Sequence, residues 1–204
     1  MTKETYKKCI KIAEKYESER RLRHSVGVYE EAGRICDLLK IRGREREDVL
    51  TAALLHDVAH DIPSEKQFEI MDRCGVSYDD LRGYPTVLHQ RTGAVLAKEE
   101  LPELSDESSK MIECHTTGKT DMTLGEKIVC LCDFIEPGRE NGGCRAVREY
   151  FLTESEKISD TEQYEKLIDR ALKKAFGMTL EYLKAKGYPI HPVTAEVYSL
   201  LCSE

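Results

Sequence analysis

Residues 54–61, LLHDVAHD, decide how this chain is read. Val49, Ala52, Ala53 and Leu55 recur at helical steps and lead straight into His56 and Asp57, two metal-ligand side chains set back to back. A histidine four residues after Ala52 shares the apolar face of that helix. The aspartate beside it is harder to explain as packing, because a carboxylate is rarely buried unless it is paired. A metal ion would supply the pairing. Asp133 repeats the problem inside the apolar run KIVCLCDFI (127–135). His24 lies four residues before Val28 and belongs on the buried stripe of its own helix, while His89 and His115 fall near helix ends. Imidazoles together with carboxylates suit iron, manganese, zinc or nickel better than calcium. Spacing alone does not choose among them.

Outward from this stretch the chain is patterned for helices. Tyr6, Ile10, Ala13 and Tyr16 form one stripe, and Val28, Ala32, Ile35 and Leu39 a second. Pro63 and Ser64 open a short helix that Gly75 ends, and Pro85 precedes another from about 86 to 100. A further helix leads up to His115. Thr123 and Glu126 have the spacing of a capping box for the helix carrying Asp133. Pro137 and Gly138 stop that helix, and GRENGG (138–143) reads as a glycine-rich loop. A long stripe from Tyr164 to Ala175 and a last helix around Val197, Tyr198 and Leu201 complete the chain. No alternating strand, repeat or linker stands out. The expected fold is all-α, a single helical domain of about eight helices over residues 1–204, with a core at about 18–143 and a C-terminal helical part at about 144–204.

Composition limits the function classes. The chain has 204 residues, 40% hydrophobic and 34% charged, with a formal net charge of -7. This suits one soluble domain and argues against nucleic acid or an anionic membrane as the main partner. No apolar run approaches the roughly 18 residues of a membrane helix. MTKETYKKC lacks the apolar core of a signal peptide. The eight cysteines show no CxxC spacing, so reduced, mostly buried thiols in a cytoplasmic protein are expected.

The order His24, His56-Asp57, Asp133 resembles that of the HD-domain metal-dependent phosphohydrolases. The segments RRLRHSVGV, LLHDVAH, LHQRTGA, HTTGKTDMTLGEKIV, DFIEPGR and HPVTAEVYSLL narrow the resemblance to the bacterial YqeK-type family, over about 21–201. That family cleaves diadenosine tetraphosphate symmetrically to two ADP. The resemblance implies an iron enzyme with one or two divalent ions, a nucleotide substrate, a bacterial source and a homodimer. It implies that His24, His56, Asp57 and Asp133 bind a first metal, that His89 and His115 bind a second metal or contact phosphate, and that Asp57 is shared. It assigns nucleotide contact to Asp57, Val58, Ala59, His60, His89, His115, Thr116, Asp133 and Arg139, with Asp57, His89, His115 and Arg139 as the catalytic group. Lys119 and the backbone of 116–118 are further phosphate candidates. His60 departs from the family, which usually has lysine there, and a shorter, partly charged side chain alters that phosphate contact. Two other readings follow from the same residues. One is an HD-domain hydrolase of nucleoside mono- or triphosphates or cyclic nucleotides. The other is a nucleotide-binding regulator without turnover. His191 reads as a loop histidine, and Tyr182, Tyr188 and Tyr198 as packing residues that could stack on a base.

Overall fold

Polar side chains at the helix starts set where the chain turns helical. In the computed structural model, which describes residues 1–203, Thr2, Ser18, Ser105, Thr123, Asn141 and Asp160 each accept a backbone N–H three residues on. Thr123 and Glu126 close the capping box, with Glu126 Oε2 accepting from Thr123 N at 2.7 Å. Among the described residues there are ten α-helices and no strand. They are α1 (Lys3–Tyr16), α2 (Glu19–Leu38), α3 (Gly43–Leu55), α4 (Ser64–Arg73), α5 (Leu88–Glu100), α6 (Asp106–Cys114), α7 (Leu124–Ile135), α8 (Gly142–Ser155), α9 (Thr161–Lys186) and α10 (Pro192–Ser203). No helix among these residues is long and apolar enough to cross a membrane.

The count exceeds the expected eight or so; α8 is not singled out in the sequence reading, and its first two residues fall in the stretch read as a glycine-rich loop. Gly142 and Gly143 are poor helix formers, each costing about 1 kcal/mol against alanine. They nevertheless form the first turn of α8, because Asn141 Oδ1 accepts from Cys144 N at 2.9 Å and Cys144, Val147 and Phe151 bury one face. The cap and the buried face outweigh the glycine cost. A smaller difference lies before α5, where Pro85–Val87 forms a 3-10 turn and the α-helix begins at Leu88.

Two helices form the centre. α3 has no side-chain cap at Arg42, so packing holds it. Val49, Ala52, Ala53, Leu54 and Leu55 are fully buried, and each of the larger side chains contributes about 1.5–3 kcal/mol, more than the roughly 1 kcal/mol of a cap. α7 packs against α2, α3, α6, α8 and α9 and buries Ile128, Val129, Leu131, Cys132 and Ile135. A smaller apolar cluster of Met71, Tyr78, Leu81, Val87 and Leu88 anchors the segment that leads into α5. Gly93 lets α5 approach α3: a Cβ there would stand 3.2 Å from the carbonyl oxygen of His56. The cysteines are free, and Cys9, Cys36, Cys114, Cys130, Cys132 and Cys144 are buried, Cys74 half-buried and Cys202 exposed.

Candidate metal centre

Five helices deliver ligand atoms to one place. His24 comes from α2, His56 caps the C-terminus of α3 with Asp57 just beyond it, His89 opens α5, His115 caps α6, and Asp133 lies in the last turn of α7. His24, His56, Asp57 and Asp133 offer ligand atoms that all lie within 4.8 Å of one another, and so do Asp57, His89 and His115. Asp57 belongs to both groups. His24 Nε2 is 2.9 Å from Asp133 Oδ1 and 3.6 Å from Asp57 Oδ2, and His56 Nε2 is 3.4 Å from Asp57 Oδ2. On the other side, Asp57 Oδ1 is 3.4 Å from His89 Nε2 and 3.6 Å from His115 Nε2.

The far nitrogens of three rings are already engaged. His56 Nδ1 lies 2.8 Å from the carbonyl of Ala53, His115 Nδ1 2.8 Å from that of Ile112, and His24 Nδ1 3.0 Å from Glu136 Oε1. These acceptors assign the proton to Nδ1 and leave a lone pair on each Nε2. Yet the Nε2 atoms of His24 and His56 face each other at 3.3 Å, and those of His89 and His115 at 3.2 Å. Lone pairs converging with two carboxylates need a cation, and nitrogen and oxygen donors in this mix suit a divalent transition metal. The donor set therefore fits a metal.

Without a metal, the cluster balances its own charge. Burial opposes ionisation of Asp57, but the His56 charge and hydrogen bonds from His115, His56 and His89 outweigh it and hold the carboxyl well below its ordinary range. Burial likewise opposes Asp133, and Arg139 with hydrogen bonds from His24 and His56 keeps it ionised. His56 resists protonation by burial but is driven up to about 10 by Asp57 and Asp133. Burial pushes His89 down to about 4. A metal on these ligands takes the place of the imidazole protons, so its binding is pH-dependent.

A cavity of about 970 Å³ opens over the cluster. Asp57, His60, His89, His115, Thr116, Asp133 and Arg139 line it, whereas His24 and His56 lie beneath. Val58 and Ala59 are fully buried and do not line the cavity, and Val58 belongs to the apolar core. Lys119 is also absent from the wall, with its amine 3.0 Å from Glu126. His60 sits half-exposed at the rim, 3.0 Å from Arg21 Nη2 and 3.2 Å from Asp61. Arg139 pairs with Asp133 through Nη2, but its buried Nε has no partner.

Sequence reasoning missed two charged neighbours. Arg21 lines the cavity and holds Asp57 Oδ2 at 2.5 Å. Glu136 is buried and bonds both His24 and the backbone N–H of Gly138. Each carries a signal that was readable: Arg21 is three residues before His24 and Glu136 three after Asp133, the spacing of one helix face. The wall from α8 and α9, including Phe176 and Thr179, had no such signal. Arg148 of α8 fixes this side by donating to the carbonyls of Ile135, Glu136 and Arg139 at 2.5–2.6 Å.

The HD domain family model matches residues 21–138. The symmetrical bis(5'-nucleosyl)-tetraphosphatase of Halalkalibacterium halodurans is 29% identical over 198 residues, covering 97% of each chain. The protein of that name from Bacillus subtilis is 29% identical over 203 residues, covering 100% of this chain and 99% of the relative. A crystal structure of a predicted HD superfamily hydrolase involved in NAD metabolism from Clostridium acetobutylicum superposes with a TM-score of 0.82 at 30% identity, over 97% of each chain. By the match to the family model and by this likeness along its whole length, the chain belongs to the HD domain family of hydrolases.

Proposed function

We propose that this protein is a cytoplasmic hydrolase that cleaves diadenosine tetraphosphate symmetrically to two ADP, with iron as its metal. The observation that carries the reading is Asp57, shared by two ligand groups at the floor of a cavity that lies toward the upper end of the roughly 300–1,000 Å³ range of small-molecule sites. The names of the full-length relatives support the substrate. His24, His56, Asp57 and Asp133 would hold one ion, and Asp57, His89 and His115 a second. When bound, such ions neutralise phosphoryl charge and activate water near neutral pH.

The chain's own residues do the rest. Water adds to one central phosphorus, the bridging oxygen leaves on the other ADP, and the two protons of water are released once both ADP products are fully ionised. Arg139 lines the cavity, and its buried Nε–H has no partner among the described residues; in this reading its planar donor fork takes a phosphate oxygen. Arg21 supplies a second cation beside Asp57. Thr116, whose hydroxyl is 3.3 Å from His89 Nε2, can donate to the substrate. His60 stands at the rim where it meets phosphate as a short side chain held by Arg21 and Asp61. Residues 144–203 complete the cavity as a helical part packed on the core at 18–143, and we treat the two as one domain.

The decisive assay incubates protein loaded anaerobically with ferrous iron with diadenosine tetraphosphate and resolves the products, with metal analysis of the protein purified without oxidation. ADP alone is the expected product. ATP plus AMP would overturn symmetrical cleavage. Turnover confined to another nucleotide would make the protein a different phosphohydrolase, and tight binding without turnover a regulator.

Glu136 gives a second test. It orients the His24 ring from behind, and losing such an outer partner typically costs 10–100-fold in metal affinity. Glu136→Gln should therefore weaken metal binding by roughly that factor, measured by competition with a chelator. Affinity equal to wild type would remove Glu136 from the centre.

A further inference from the structure

The cavity continues past the metal cluster. Its far end is walled by the last turns of α9 and the segment after it, where Tyr182, Tyr188 and His191 stand. These residues lie outside the 21–138 stretch matched by the HD domain model. A helix-stop signal builds this wall. Gly187 has φ +67°, a conformation glycine adopts without steric cost. Tyr188 N–H then donates back to the carbonyl of Leu183 at 3.0 Å, the 6→1 bond that folds a chain over the end of its own helix. Tyr188 is thereby brought beside Tyr182, with ring centroids 6.5 Å apart and planes inclined by 52°.

Packing does not explain these two rings. The buried stripe of α9 runs through Leu167, Ala171 and Phe176 and faces the core. Tyr182 and Tyr188 instead remain 56% and 47% exposed. At the same end His191 is buried, and its Nδ1 has no hydrogen-bond partner among the described residues. Buried polar atoms are rarely left unsatisfied unless something outside the chain meets them. Exposed aromatic faces at the mouth of a nucleotide-sized cavity are surfaces on which a base stacks. The inclination makes the pair a platform and not a slot, so a base lies on one ring and meets the other edge-on.

We infer that Tyr182 and Tyr188 form the stacking platform for the second nucleobase of a dinucleoside polyphosphate, the base of the half that reaches the cavity mouth. The inference rests on the function proposed above and specifies how that site tells a dinucleoside from a mononucleoside substrate. The metal cluster and Arg139 serve the phosphates, which both kinds of substrate carry. Only the longer one has a further base to place at the mouth.

Two probes test it: diadenosine tetraphosphate and adenosine 5'-tetraphosphate, each with a methylene in place of the central bridging oxygen so that neither turns over. Their affinities for the full-length, metal-loaded protein are measured by calorimetry. The wild type should bind the dinucleoside about tenfold more tightly, within the range that one base–aromatic stack supplies. In the Tyr182→Ala/Tyr188→Ala double variant that ratio should fall to near one. The Tyr182→Phe/Tyr188→Phe variant should keep it, because stacking needs the ring and not the hydroxyl. A wild-type ratio near one, or a ratio unchanged in the alanine variant, overturns the platform. Both rings are about half exposed, so these changes leave the core intact, and a thermal melt verifies it. Failure of wild-type protein to hydrolyse diadenosine tetraphosphate would overturn the proposed function, while the binding ratio would still decide the platform.

Discussion

Replacing Asp57 with asparagine should lower hydrolysis by about a thousandfold or more, well beyond the roughly 10–100-fold typical of an outer partner of a metal ligand. Among the described residues no other side chain belongs to both ligand groups. One carboxylate oxygen faces His24 and His56 while the other faces His89 and His115. Asparagine keeps the volume but replaces one oxygen with an amide nitrogen, a donor without ligand capacity, and removes the negative charge. One group then loses its ligand atom, and the other keeps only a neutral amide oxygen in place of a carboxylate. Arg21, which holds Asp57 at 2.5 Å, loses its anion as well, and a partly buried cation is left without that partner. The check is ADP formation by the purified variant, with its bound metal counted and its fold verified by thermal melting. Turnover at the wild-type rate by a metal-replete Asp57→Asn protein would sink the shared-ligand reading.

The parts of this site that were legible in sequence are those that break a helical rule. Asp57 and Asp133 interrupt apolar runs; in the fold Asp57 is buried and Asp133 partly so, with His56 and His24 beside them, and burying a carboxylate without a partner is costly. The histidines at helix ends were legible because a helix terminus delivers a side chain to a fixed point, as the caps of α3 and α6 do for His56 and His115. Less visible were residues that obey the rules. Arg21 sits in a basic cluster that any solvated helix start could carry, and only its ion pair with Asp57 distinguishes it. Glu136 follows the end of an apolar run, where an acidic residue is unremarkable until His24 is found against it.

The helix α8 was hidden by local propensity. Two glycines in its first turn read as loop; the Asn141 cap is a local bond, whereas the burial of Phe151 depends on tertiary contact. This has a functional consequence, since Arg148 of α8 grips the carbonyls at the end of α7 and that of Arg139. A chain read without α8 lacks the guanidinium that holds the Arg139 carbonyl. The cavity wall from α9 was hidden for a different reason. Its residues have ordinary helical spacing, and which of them meet a ligand depends on how α9 lies over α7 and α8.

Arg139 should be the next most sensitive position: Arg139→Lys is expected to lose roughly 100- to 1,000-fold in kcat, the loss typical of removing one preorganised donor from developing charge. The guanidinium divides its work. Nη2 pairs with Asp133, while Nε is buried with no acceptor among the described residues. Burial opposes the charge, and Asp133 more than restores it, so the group stays a cation throughout. A buried donor without an acceptor costs about 1–3 kcal/mol, a cost that a phosphate oxygen in the cavity would remove. Lysine keeps the charge but has no planar fork, so it can satisfy Asp133 or the substrate and not both with the same geometry. Two roles predict different kinetics. If Arg139 acts on the phosphoryl group, kcat of the metal-saturated Arg139→Lys enzyme falls and its metal affinity stays near that of wild type. If Arg139 serves only to orient Asp133, metal affinity falls and kcat recovers once metal is saturating. Steady-state kinetics across a metal titration separate the two, and full recovery of kcat at saturating metal would remove Arg139 from the chemistry.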